Sequence, residues 1–158
     1  MRRIIGMACV VGVFGLALTG VALKGQAADM AKAIEYRQNV MKSIGASLDN
    51  IVLMIKGQVP FNAQHVVVYA ENINNLSKII PDLVPPGSGP EAGDTRAKPE
   101  IWQKMDEFKA AAEKLTTESS KLIEVAKGGD QAATFQQAVA MGKNACGGCH
   151  EPFRKPKE

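Results

Sequence analysis

The sequence predicts an all-α fold, an antiparallel four-helix bundle, and three observations carry that prediction. Beyond residue 28, apolar side chains recur at alternating steps of four and three, the beat of a helix face. Glycine and proline interrupt this beat at three places and leave four segments of helical length. No stretch shows the apolar–polar alternation of a strand.

The first helix is expected from about Met30 to Lys56, stopping at Gly57 with Pro60 beyond it. Its stripe is Met30, Ile34, Arg37, Met41, Ile44, Leu48, Ile51 and Ile55. The second opens at Asn62, a suitable N-cap, and ends at Pro81, with a noisier stripe of Val66, Tyr69, Ile73, Leu76 and Ile80. The third has Pro99 in its first turn and runs to Lys127. Its stripe is Ile101, Met105, Phe108, Ala112, Leu115, Ser119, Leu122 and Ala126. Gly128-Gly129 breaks the chain, and Asp130 can cap the fourth, with Ala132, Phe135, Val139, Gly142, Cys146, Cys149 and Phe153 on one stripe. Such repeats pack at shallow angles, and short connections make neighbours antiparallel. The long loop 81–97, with Pro85-Pro86-Gly87-Ser88-Gly89-Pro90, is either a crossover or an excursion that leaves the order unchanged.

The N-terminus is set apart from this domain. Arg2 and Arg3 precede an uncharged apolar run from Ile4 to Leu23, and Gly25 and Ala27 stand at −3 and −1 before Ala28. This is the pattern of a secretory signal peptide over residues 1–27, leaving 28–158 as the mature bundle. The alternative is an uncleaved anchor, since about 20 apolar residues just span a bilayer. Loss of Arg2, Arg3 and Lys24 reduces the 19 basic residues to 16, equal to the 16 acidic ones. A neutral mature chain gives no ground for a nucleic-acid partner, nor for a membrane one after cleavage. Cys9 leaves with the signal, so the mature chain keeps Cys146 and Cys149 only.

Those two cysteines stand in Cys146-Gly147-Gly148-Cys149-His150. Two thiols about one helical turn apart can add across the two vinyl groups of one haem, and the next histidine can ligate its iron through a neutral nitrogen. Gly147 and Gly148 add no bulk where a porphyrin edge approaches. A Cys-x-x-Cys pair alone would also suit a redox dithiol or half a zinc site. Only His65 remains as a further, distant nitrogen donor, and no βαβ setting is present. Arg37 breaks the apolar rule of the first seam. A buried guanidinium costs several kcal/mol unless paired, so an anion is expected against it.

Four stretches together resemble the cytochrome c′ family, the class II monohaem c-type cytochromes. They are Glu35-Tyr36-Arg37-Gln38, Lys56-Gly57-Gln58-Val59-Pro60-Phe61, Lys98-Pro99-Glu100-Ile101-Trp102, and Cys146 through Arg154. The resemblance covers essentially the whole mature chain. It implies a periplasmic, left-handed up-down-up-down bundle with one covalent haem c per chain, in a family whose members often form homodimers through the first two helices. It implies that Arg37 lies against a haem propionate and that Arg154 lies near the proximal haem face. His150 is then the proximal iron ligand. Met41 occupies the position that faces the distal side, where low-spin relatives use methionine as a sixth ligand and high-spin ones a non-ligating residue.

The expectation is an electron carrier of the periplasm, not an enzyme, exchanging electrons with periplasmic redox proteins through a haem held between His150 and Met41. The runner-up is a five-coordinate haem that binds nitric oxide or carbon monoxide. A third reading, a structural or metal-storage bundle with a disulfide, leaves His150 and Arg37 without a reason. His65, Tyr36, Trp102 and Phe108 are read as surface or packing residues, and Lys155 and Lys157 as a basic tail.

Overall fold

The computed structural model describes residues 19–157 along the backbone and 29–157 in their side chains. The predicted signal segment therefore falls largely on 1–18, outside the described residues. Helix α1 runs Thr19–Ile55, and α2 runs Ala63–Ser77. A 3₁₀ turn, Ile80–Leu83, leads into the long loop. The short α3, Glu100–Gln103, is followed by α4, Met105–Lys127. Then come α5, Gln131–Met141, a π-helical turn, Gly142–Gly147, and α6, Gly148–Phe153. Among the described residues no helix is long and apolar enough to cross a membrane.

Punctuation sits where the sequence placed it. Gly57 takes a positive φ of 67° just after α1, a conformation that costs glycine little. The Asn62 side chain accepts a 3.0 Å hydrogen bond from the His65 amide and starts α2. Asp130 does the same for α5, accepting from the Ala133 amide at 3.0 Å. Asp130→Ala should therefore cost about 1 kcal/mol, read as a lowered thermal midpoint. An unchanged midpoint would show that the cap contributes nothing.

Close backbone approach joins α1 to α2, α2 to α4, and α4 to α5. Sequence neighbours are thus spatial neighbours, and the 81–97 loop is an excursion rather than a crossover. The α4 stripe packs as predicted, with Phe108, Ala112, Leu115, Ser119, Leu122 and Ala126 all buried. The noisy α2 stripe is displaced: Tyr69 and Leu76 are half-buried, while Asn74 and Ser77 lie inside. A polar layer explains it. Asn74 Nδ2 donates to Thr116 O at 2.8 Å and Ser119 Oγ at 3.1 Å, and Ser77 Oγ meets Thr116 Oγ1 at 2.7 Å. Buried polar atoms that find partners on the facing helix need not avoid the core.

Two further departures lie on the elements that carry the motif. The third helix was expected unbroken from Pro99, but Lys104 (φ −128°, ψ 49°) separates α3 from α4. Trp102 draws the first turn toward the loop, its Nε1 donating to Val84 O at 3.1 Å and Pro85 O at 3.3 Å. In the last helix the predicted stripe does not face the core throughout. Thr134, Ala138, Met141 and Ala145 are buried, Ala132 is exposed, and Val139 is 58% exposed. The π-turn adds a residue between Gly142 and Gly147 and shifts the phase of the helix within its length.

Candidate haem-attachment site

The α1 helix has no comparable backbone approach to α5, the π-turn or α6, so this side of the bundle is its wide one. Side chains bridge it. A methyl group placed on Gly142 would come to 4.0 Å from Leu48 Cδ2. Met41, two helical turns before Leu48, is half-buried against the core, as are Leu48, Cys146 and Cys149.

The motif residues stand where the helix changes pitch. Cys146 lies within the π-turn, and Cys149 and His150 in the first turn of α6. The Gly148 amide donates to Lys143 O, a step of five residues, as well as to Ala145 O. A methyl group on Gly148 would meet no protein atom within 4 Å, so the protein's own packing does not require glycine there. Beyond the motif, Phe153 is buried and meets the Phe108 ring edge-on at 5.4 Å, which fastens α6 to α4.

Both cysteines are free thiols. Burial raises the pKa of Cys146, and burial followed by the neighbouring Cys146 pushes Cys149 up to about 11. Burial, then Arg154 and Arg96, lowers His150 to about 4. The site thus offers two protonated thiols and a neutral imidazole, the form of histidine that binds a metal. Among the described residues no three His, Cys, Asp or Glu side chains gather as a metal site, which leaves a zinc reading without ligands. A haem fits this donor set: the thiols supply both attachment points, the histidine supplies a nitrogen, and the wide seam is lined by apolar side chains.

Arg154 lies close enough to the motif to exert its charge on Cys146, Cys149 and His150. Arg37 is buried, but the partners seen are not anionic. Its NH1 donates to Ser88 Oγ at 3.1 Å and Leu83 O at 3.4 Å, and its NH2 to Ser88 O and Thr95 Oγ1 at 3.0 Å. The long loop folds back and supplies neutral oxygens to four of the five N–H groups, leaving Nε–H free of partners among the described residues. Several well-placed carbonyls and hydroxyls thus satisfy most of this buried guanidinium. Gln38 is also turned to the loop, donating to Asp94 O at 2.9 Å.

Sequence reading missed the far end of that loop. Ala97 pairs with Arg154 in an antiparallel bridge, Lys98 N donates to Phe153 O at 3.0 Å, and Lys155 N donates to Arg96 O at 2.8 Å. Arg96 and Lys98 thereby join the motif end of the bundle. Nothing in their spacing signals it, because the pairing spans more than fifty residues. His65 and Tyr36 are exposed and Phe108 is buried, as read from the sequence.

A family model described as Cytochrome C′ matches residues 32–154. The chain belongs to the cytochrome c′ family. Cytochrome c-556 of Agrobacterium tumefaciens is 35% identical over 127 residues, 80% of this chain and 100% of that protein. The solved cytochrome c′ of Shewanella frigidimarina superposes with a TM-score of 0.73 at 34% identity, covering 80% of this chain and 97% of that one. A nitric oxide complex of a variant cytochrome c′ from Alcaligenes xylosoxidans gives 0.72 at 26% identity, covering 81% and 97%. As a cytochrome c′-type chain it carries covalent haem c, with Cys146 and Cys149 at the attachment positions. The bundle is the up-down-up-down one of this family.

Proposed function

We propose that this is a periplasmic cytochrome whose iron is held from one side by His150 and, on the other, takes up a small uncharged ligand such as nitric oxide or carbon monoxide. Bound haem supplies an iron that changes between Fe(III) and Fe(II) and accepts a diatomic ligand. The observation that carries the reading is that, among the described residues, α1 beyond Arg37 turns no hydrogen-bond donor to the seam. Met41 and Leu48 present only apolar groups and a thioether there, while Arg37 turns four of its five N–H groups, and Gln38 its side-chain amide, to the loop. Distal donors and polarity decide which ligand a haem favours. A pocket without donors gives no support to a charged ligand or to polarised dioxygen, and it admits nitric oxide and carbon monoxide. The nitric oxide complex of a structural relative supports the same reading. Neutral His150 holds its place through the Phe153–Phe108 contact and the loop–tail bridge, and the free Nε–H of Arg37 is the donor available to a haem propionate. The signal-like N-terminus supports the periplasm.

A second reading keeps one specific observation in its favour. Met41 sits one turn beyond Arg37 with its thioether half-buried on the seam, so it suits a sixth ligand and an electron carrier. Optical spectra of the reduced protein, with and without carbon monoxide, separate the two. The gas-binding reading expects a high-spin spectrum that shifts on adding the gas, and Met41→Leu should change it little. A low-spin spectrum inert to carbon monoxide, turned high-spin by Met41→Leu, would overturn it in favour of the electron carrier.

A further inference from the structure

The loop–tail bridge gathers charge that the sequence keeps apart. Residues 96–98 bring Arg96 and Lys98, and residues 154–157 bring Arg154, Lys155 and Lys157. Backbone pairing holds the two segments side by side, and Arg96 Nε is further fixed on Lys155 O at 3.0 Å. Arg154, Lys155 and Lys157 are exposed, and Arg96 and Lys98 half-exposed. None of the five forms an ion pair among the described residues, although Asp94, Glu100 and Glu151 flank them in sequence. Lys98 Nζ takes the Glu151 backbone oxygen at 2.9 Å, not its carboxylate. Burial first, and then the Arg96 charge beside it, lower the pKa of Arg154. Like charges held together cost stability and create a local positive field in a domain whose basic and acidic residues balance overall. The cluster flanks His150, whose titration both arginines depress.

We propose that this cluster, Arg96, Lys98, Arg154, Lys155 and Lys157, is the docking surface for an acidic redox partner that exchanges electrons with the haem at its attachment end. The inference rests on the chain being a haem cytochrome, and it holds whichever group occupies the distal face, because the iron must be reduced in either case. A docked reduced partner loses one electron and Fe(III) gains it, with no bond made or broken. Complementary charge raises the encounter rate at the patch and aligns the partner beside the motif.

The test uses the reduced holoprotein and two outer-sphere oxidants of opposite charge, hexacyanoferrate(III) and tris(phenanthroline)cobalt(III). Each takes one electron from Fe(II). At an ionic strength of about 10 mM, Lys155→Glu/Lys157→Glu should slow the anionic oxidant about tenfold and leave the cationic one unslowed. Lys109→Glu/Lys114→Glu, the same change of net charge on the exposed face of α4, should alter the anionic rate less than about twofold. Independently of turnover, hexacyanochromate(III) should broaden the amide resonances of 96–98 and 154–157 first. Equal slowing by both double variants, or broadening centred elsewhere, would overturn the proposal. A preparation without the absorption of covalent haem would instead overturn the cytochrome reading beneath it.

Discussion

Cys146→Ser/Cys149→Ser should leave no haem on the polypeptide after denaturing electrophoresis, a complete loss of the stain that the parent protein retains. Thioether bonds survive unfolding, whereas coordination by His150 and apolar contact in the seam do not. Each single variant should keep one bond and so keep the stain, with a shifted optical spectrum from the remaining vinyl group. Both thiols are free and only half-buried. The haem-free double variant should therefore unfold within about 1 kcal/mol of the haem-free parent. Colour that stays with the double variant on the gel would refute covalent attachment through this pair.

The second large effect is expected at Arg37. Truncation to methionine keeps an unbranched chain in the seam but removes the donors of four hydrogen bonds to Leu83, Ser88 and Thr95. Ser88 is fully buried, so its carbonyl would lose its donor in a site that water does not reach. The expected cost is about 2–4 kcal/mol in denaturant unfolding, a net figure for several hydrogen bonds to one charged group. Arg37→Lys should recover little, because a point ammonium cannot span acceptors spread along the loop. Limited proteolysis between residues 84 and 95 should accelerate in both variants. A methionine variant as stable and as resistant as the parent would show that the loop holds itself, chiefly through Trp102 and the bridge to the tail.

The comparison of Arg37 with Cys146 shows where sequence reasoning reaches. The thiol pair and histidine are legible because their chemistry is set by spacing of one and three residues, which a helix turn preserves in any fold. The α4 stripe is legible for the same reason, and so are the caps at Asn62 and Asp130: each rests on contacts within four residues. Arg37 was recognisable as a charge in an apolar seam, but its partners lie some fifty residues away, in a loop whose path has no periodicity to read. The displaced α2 stripe has the same origin, since Asn74 and Ser77 are tolerable inside only because Thr116 and Ser119 face them.

By itself, then, the sequence determined the helical segments, the caps at Asn62 and Asp130, the bundle and the haem-attachment residues, all of them consequences of local spacing. Tertiary structure alone decided the rest: the excursion of the loop, the neutral cage around Arg37, the π-turn that rephases the motif helix, and the meeting of Arg96 with Arg154. Those features depend on which distant segments come to lie together. Backbone hydrogen bonding and the satisfaction of buried polar groups select that pairing only once the helices have packed.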